Sequence, residues 1–253
     1  MGRWPRNSPP DPSDDFDEGV LMPNEKSVVL SSGGLNSAVV TALAVKEGPV
    51  AALHVRYGHR AAEREVELFE RQADHFGIRE RLIVDMPHFA AMGFSARVSR
   101  KLQIEDAGSL SLSEANCYVP GLISALTSAA FSFAHGTNAS KVYLGVAENL
   151  GPPVVKTSAI FPDYSRESLQ LCNHLLSIAS PSRTIQLETP LLELSRTEII
   201  KLGRRLDVPF DLTWSCISSG TQCCGACAGC ATRNRGFLDA ATPDPVYLQS
   251  AAR

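Results

Sequence analysis

The chain has 253 residues, 44% hydrophobic and 20% charged, with a formal net charge of -3. That is enough to bury a sizeable core in one large domain, or one domain with a small appendage. The charge balance argues against direct nucleic-acid binding, no apolar run reaches the length of a membrane span, and the polar, proline-rich amino terminus has no signal-peptide core, so a cytoplasmic location is expected.

Residues 1–25 are rich in Pro and Asp and poor in apolar groups, the composition of a solvated, disordered tail. From Lys26 onward strand and helix patterns alternate. The apolar run 27–30 reads as a buried strand, followed by a glycine turn and a helix over 38–46. A second strand spans 50–55, and a charged amphipathic helix over 61–76 stops at Gly77. A third strand covers 81–84. Residues 86–117 are irregular and polar, a length that points to function rather than simple connection. A small-residue helix over 121–134, a strand over 141–145 and a long loop to Tyr164 come next. They are followed by a helix over 166–178 and a strand over 184–187. Ser195 and Glu198 form a capping box that opens a helix reaching Leu206. This alternation predicts an α/β sandwich on a parallel sheet, with ligands at the carboxyl ends of the strands. The expected division is a nucleotide-binding domain over 26–207 and a small carboxy-terminal lobe over 208–253.

The segment Ser32-Gly33-Gly34-Leu35-Asn36-Ser37 lies at the first strand-to-helix junction. Two glycines let the backbone approach an anion, the following helix offers free N–H groups, and Ser32 and Ser37 add hydroxyl donors. A serine-capped glycine turn is the plainer alternative. The loop lacks a Walker lysine, so it is not an ordinary P-loop.

Five of the seven cysteines crowd into the last part of the chain. Cys216, Cys224, Cys227 and Cys230 have the spacing of a tetrahedral zinc site, with small residues in the turn between them. A redox pair is the alternative, but it would need only two thiols. Cys223 reads as a bystander. Four protein ligands leave no open position, so the metal's expected role is structural.

The first loop resembles the SGGxDS loop of PP-loop ATP pyrophosphatases, which cleave ATP to AMP and pyrophosphate while adenylating a substrate. Tyr57-Gly58, Val119-Pro120-Gly121, Phe161-Pro162-Asp163, Glu188-Thr189-Pro190-Leu191 and Trp214-Ser215-Cys216 follow it in order. Together they resemble the QueC family from about residue 26 to residue 237. The resemblance implies an adenine-nucleotide α-hydrolase-like fold, a homodimer, and a need for ATP, Mg2+ and Zn2+. It further implies an ATP-dependent C–N ligase of queuosine biosynthesis. Such an enzyme adenylates the carboxylate of 7-carboxy-7-deazaguanine; ammonia then gives an amide, and a second ATP-dependent dehydration gives the nitrile. On this reading Ser32, Asn36 and Ser37 are catalytic, the loop from Ser32 to Ser37 including Gly33, Gly34 and Leu35 holds ATP, and Tyr57, Gly121 and Asp163 contact the substrate. Asp163 would accept from the guanine-like edge; a turn aspartate after Pro162 is the alternative.

Three departures stand out. Asn36 replaces the family's Asp. Arg56-Tyr57-Gly58-His59-Arg60 stands where the family reads DYGQRH. Leu122-Ile123 replaces the Arg-Asn of VPGRN. Loss of polar groups at positions expected to face the active site suggests changed chemistry. Three readings follow: a nitrile-forming enzyme, a QueC-like anti-phage defence protein that joins a deazaguanine to a protein amine, or a non-catalytic deazapurine- or nucleotide-binding module. PP-loop tRNA modification is disfavoured by the lack of a basic patch.

Overall fold

The computed structural model describes residues 25–109, 115–148, 161–180 and 184–247. The expected tail, and most of the long loop before Tyr164, fall outside these residues. Strand β1 (Ser27–Leu30) is buried along its whole length, as its continuous apolar run requires of a strand covered on both faces. It forms the middle of a parallel sheet with β2 (Val50–Arg56), β3 (Arg81–Asp85), β4 (Lys141–Leu144) and β5 (Gln186–Glu188), in the order β3-β2-β1-β4-β5. Val28 lies opposite Ala51 on one side and Val142 on the other.

Two helical layers cover this sheet. Because side chains alternate along a strand, Val28 and Leu30 face one layer and Val29 the other. The first layer holds α4 (Leu122–Gly136) and α5 (Arg166–Ala179), through Phe131, Ala134 and Leu169. The second holds α1 (Leu35–Glu47), α6 (Arg196–Arg205) and α7 (Ala228–Asp239), through Val39, Ile199 and Phe237. Helix α2 (Ala62–His75) packs Phe69 and Ala73 beside Ala52. Each fully buried aliphatic or aromatic side chain contributes roughly 1.5–3 kcal/mol.

The strand order creates a switch point. From β1 the chain runs outward to β2 and β3, then returns to place β4 on the opposite side of β1. The loops leaving β1 and β4 therefore part company at the carboxyl edge and leave a crevice between them.

The structure revises several boundaries. Helix α1 starts at Leu35, three residues earlier than the pattern suggested. The stretch read as irregular contains α3 (His88–Met92) and a 3-10 turn, Ala107–Ser109. Helix α7 takes up Ala228 and Gly229, expected as turn residues between the cysteines, whose setting of glycines and cysteines carries weak helical propensity. Packing overrides that preference: a Cβ at Gly236 would lie 2.1 Å from Arg196 Cγ, so only glycine lets α7 lie this close to α6.

A buried ion pair secures the carboxy-terminal segment. Arg233, 1% exposed, meets Asp244 through Nε–Oδ2 at 2.6 Å and Nη2–Oδ1 at 2.9 Å. Its remaining donors reach Thr213 Oγ1 at 2.8 Å and the Phe210 carbonyl at 3.1 Å. Such a pair is tolerated inside because its hydrogen-bonding capacity is used.

Candidate active site

The crevice at the switch point is a cavity of about 260 Å3. Ser32, Gly34, Leu35, Asn36 and Ser37 line it at the end of β1, and Gly145, Val146 and Ala147 line it at the end of β4. The first helical bond of α1 runs from Ala38 N–H to the Gly34 carbonyl, at 3.1 Å. The N–H groups of Leu35, Asn36 and Ser37 thus lie outside the helix's own ladder, at its positive end. Ser37 Oγ donates to the Gly34 carbonyl at 3.0 Å and accepts from Ser32 N–H at 3.3 Å, so this hydroxyl shapes the loop. Ser32 is the exposed serine of the pair.

Gly33 is not a lining residue. Its φ is +71°, and a Cβ there would sit 2.6 Å from the Glu65 carbonyl oxygen, so it lets α2 press against the loop. Its carbonyl accepts from Trp214 N–H at 3.0 Å and from Gln72 Nε2 at 3.0 Å. Gln72 also donates to the Leu212 carbonyl at 2.7 Å. Loop, α2 and the carboxy-terminal segment are thereby bound together.

Asn36 does not cap its helix; Gly34 occupies that position. Instead Asn36 Oδ1 accepts from Arg196 Nη1 across the loop. Arg196 Nε has no hydrogen-bond partner, and burial lowers its guanidinium to about 10, still charged at neutral pH. A second cation, Arg97, lines the cavity and donates to Tyr57 Oη at 3.2 Å. The adjacent Tyr57 raises the Arg97 guanidinium, while burial raises the Tyr57 phenol. Glu65 is the single carboxylate among the described lining residues. Burial pushes it up, but His59 and Arg97 outweigh that and hold it below the usual carboxylate range. Two guanidiniums against one carboxylate make the cavity electropositive. Glu65 is already engaged by His59, at 2.8 Å, so the described lining residues offer no carboxylate cage for Mg2+; an ion there would depend on nucleotide phosphates and water.

Tyr57 lines the cavity, whereas Gly121 and Asp163 do not. Gly121, at φ +76°, is the N-cap of α4. Asp163 is buried in the 3-10 turn Pro162–Tyr164, where Oδ2 accepts from Ile123 N–H at 3.3 Å. Burial raises its carboxyl. It opens on a small pocket that shares Arg97, Leu122, Phe161 and Tyr164 with the main cavity. Leu122 and Ile123 both line the main cavity, so both aliphatic departures face it.

The sulfurs of Cys216, Cys224, Cys227 and Cys230 lie within 4.8 Å of one another. A tetrahedral zinc with Zn–S of about 2.3 Å needs sulfurs about 3.8 Å apart; Cys224 and Cys230 stand at 3.9 Å. The Cys224 N–H points at Cys216 Sγ, at 3.3 Å, and the Cys227 N–H at Cys224 Sγ, at 3.4 Å. Hydrogen bonds from Cys227 and Cys230 pull the Cys216 thiol down. These residues fit a four-thiolate zinc. Cys216 also lines the cavity, so the cluster sits beside the glycine–serine loop.

Sequence reasoning missed Gln72, His59, Glu65, Arg97 and Arg196. Two carried a signal. Arg196 opens a helix, where the dipole favours an acid, and Gln72 interrupts the buried stripe of Leu68, Phe69 and Ala73.

A lysine-free glycine–serine loop at the switch point of a parallel α/β sheet, with a four-thiol cluster against it, defines a PP-loop protein of the ATP-utilising class. The family model for the queuosine biosynthesis protein QueC matches residues 26–241, and the chain belongs to that family. A protein named 7-cyano-7-deazaguanine synthase from Koribacter versatilis (strain Ellin345) is 39% identical over 225 residues, 87% of this chain and 92% of that protein. One of the same name from Chlorobium phaeobacteroides (strain DSM 266 / SMG 266 / 2430) is 35% identical over 223 residues, 87% of this chain and 96% of that protein. Among solved structures, NMN synthetase from Francisella tularensis superposes with a TM-score of 0.42 and 15% identity, covering 87% of this chain and 78% of that one, too distant to bear on function. Among the described residues no helix is long and apolar enough to cross a membrane.

Proposed function

We propose that the chain uses ATP to adenylate the carboxylate of 7-carboxy-7-deazaguanine and then joins the acyl group to an amine. The observation that carries this reading is the electropositive cavity at the switch point, with the phosphate loop on its wall. The free N–H groups at the start of α1 and the Ser32 hydroxyl hold the pyrophosphate of ATP. Arg196, held by Asn36, neutralises charge that builds on the α-phosphate as the carboxylate attacks. Tyr57 receives the base in the main cavity, with Asp163 reaching its edge from the adjoining pocket and Gly121 turning the chain into α4 beside it, and Mg2+ accompanies the nucleotide. One zinc on Cys216, Cys224, Cys227 and Cys230 supplies structural cross-linking and keeps the segment from Trp214 onward against the loop. The proposed division is a nucleotide domain over 26–207 and a zinc lobe over 208–253, acting in the cytoplasm as a homodimer.

Ammonia as the amine leads to the nitrile. A second reading, in which a protein amine accepts the acyl group as in QueC-like defence proteins, is favoured by Leu122 and Ile123: an aliphatic wall suits a larger acceptor better than a polar one. Mass spectrometry after incubation with ATP, Mg2+ and 7-carboxy-7-deazaguanine, with and without ammonium, tests the proposal. Substrate-dependent AMP together with amide or nitrile supports it. ATP binding with no AMP under any condition refutes it and leaves a nucleotide-binding module.

A further inference from the structure

One wall of the cavity carries a buried pair that the phosphate chemistry leaves unused. His59 Nε2 meets Glu65 Oε2 at 2.8 Å. The His59 ring stacks on Tyr57, with centroids 4.0 Å apart and planes 19° apart, and Arg97 holds the Tyr57 hydroxyl. His59 is 5% exposed, yet it lines the cavity, and its Nδ1 is buried with no hydrogen-bond partner. The Glu65 backbone packs against Gly33, so the pair is anchored to the phosphate loop itself. A histidine oriented by a carboxylate through one nitrogen, with the other unpartnered and buried in the wall of a reaction cavity, has the arrangement of an activated base.

We propose that His59, oriented by Glu65, is the general base for the C–N bond-forming step, a role that rests on the adenylate reading above. Amines are largely protonated at neutral pH and must shed a proton to attack. The amine nitrogen's lone pair attacks the acyl carbon and the C–N bond forms. The bond from that carbon to the AMP oxygen breaks, and its electron pair leaves with AMP. The proton shed by the ammonium passes to His59 Nδ1 before the attack, while Nε2–H stays bonded to Glu65, whose charge balances the imidazolium; the second N–H proton, lost once the C–N bond has formed, leaves on the departing AMP phosphate. This tautomer follows from the hydrogen-bond network.

His59→Gln and Glu65→Gln in the full-length protein test the role through three readouts with ATP, Mg2+ and 7-carboxy-7-deazaguanine. These are substrate-dependent exchange of labelled pyrophosphate into ATP, acyl transfer to ammonia, and acyl transfer to hydroxylamine, which is unprotonated at neutral pH. In His59→Gln the ammonia rate falls by roughly 100-fold or more. The hydroxylamine rate and the exchange fall about tenfold at most, because neither needs the base to the same degree. Glu65→Gln, which keeps a hydrogen-bonding group and removes the charge, shows the same ammonia-to-hydroxylamine split with a smaller loss. Equal losses in all three readouts overturn the proposal and make the pair a structural tie between α2 and the loop after β2. Absence of exchange in the unsubstituted protein overturns the adenylate reading, and the base with it.

Discussion

Replacing Asn36 by aspartate exchanges a neutral acceptor of Arg196 for a charged one. At a charge separation of about 4 Å and an effective dielectric constant of about 20, the attraction is about 4 kcal/mol. Desolvating the new carboxylate consumes most of that, leaving about 1–2 kcal/mol net. For a chain of this size that corresponds to a rise in Tm of about 2–8 °C. The N–H groups proposed to bind phosphate are untouched, so ATP affinity should stay within a few-fold by calorimetry. Adenylation should respond far more, because a carboxylate fixes the cation where charge develops on the α-phosphate, and one such contact is worth roughly 100- to 1000-fold in rate. The assay is substrate-dependent AMP formation by the two forms under matched conditions. Equal turnover would refute the reasoning and leave Asn36 as an ordinary first-turn residue. A higher Tm without faster turnover would show that the Arg196 contact serves stability alone.

The zinc assignment predicts one metal per chain and its loss in Cys227→Ala, read by metal analysis; full metal content in that variant contradicts it. Gly34→Val keeps an allowed backbone, since φ at Gly34 is -84°, but its Cβ would stand 2.9 Å from Ser32 Oγ. The folded variant should lose ATP binding, and unchanged affinity would relocate the phosphates. Asp244→Ala strands the buried Arg233 and should cost about 3–5 kcal/mol in chemical denaturation; a loss under about 1 kcal/mol would mean that water replaces the partner. Leu171, Leu175 and Ile178 form an exposed stripe on α5, at 70%, 67% and 64%. If a homodimer uses that face, Leu175→Glu shifts sedimentation toward the monomer; an unchanged coefficient excludes the face.

Local chemistry was readable wherever it depended on neighbours in the chain. The apolar run of β1, the glycine–serine loop behind it, the Ser195–Glu198 capping box and the cysteine spacing each specify their structure through contacts a few residues apart. The structure brings the four expected sulfurs together and reproduces the capping box in both of its hydrogen bonds. Helix α7 was hidden for the opposite reason. Its weak propensity is overcome by packing on α6 at Gly236, some forty residues away from Arg196 in the chain.

The sequence by itself determined the α/β class, the glycine–serine loop at the first strand-to-helix junction and the four thiols that meet in space, because each follows from periodicity, turn geometry or chain spacing. Only the tertiary structure decided which strands flank β1, and hence where the crevice opens. It alone brought Arg196 across 160 positions to Asn36 and tied Gly33 to Gln72 and Trp214. The physical reason is one of range. A side chain's partner is visible in sequence when a helix turn or a metal fixes the interval between them, and invisible when the chain must close a long loop before the two can meet.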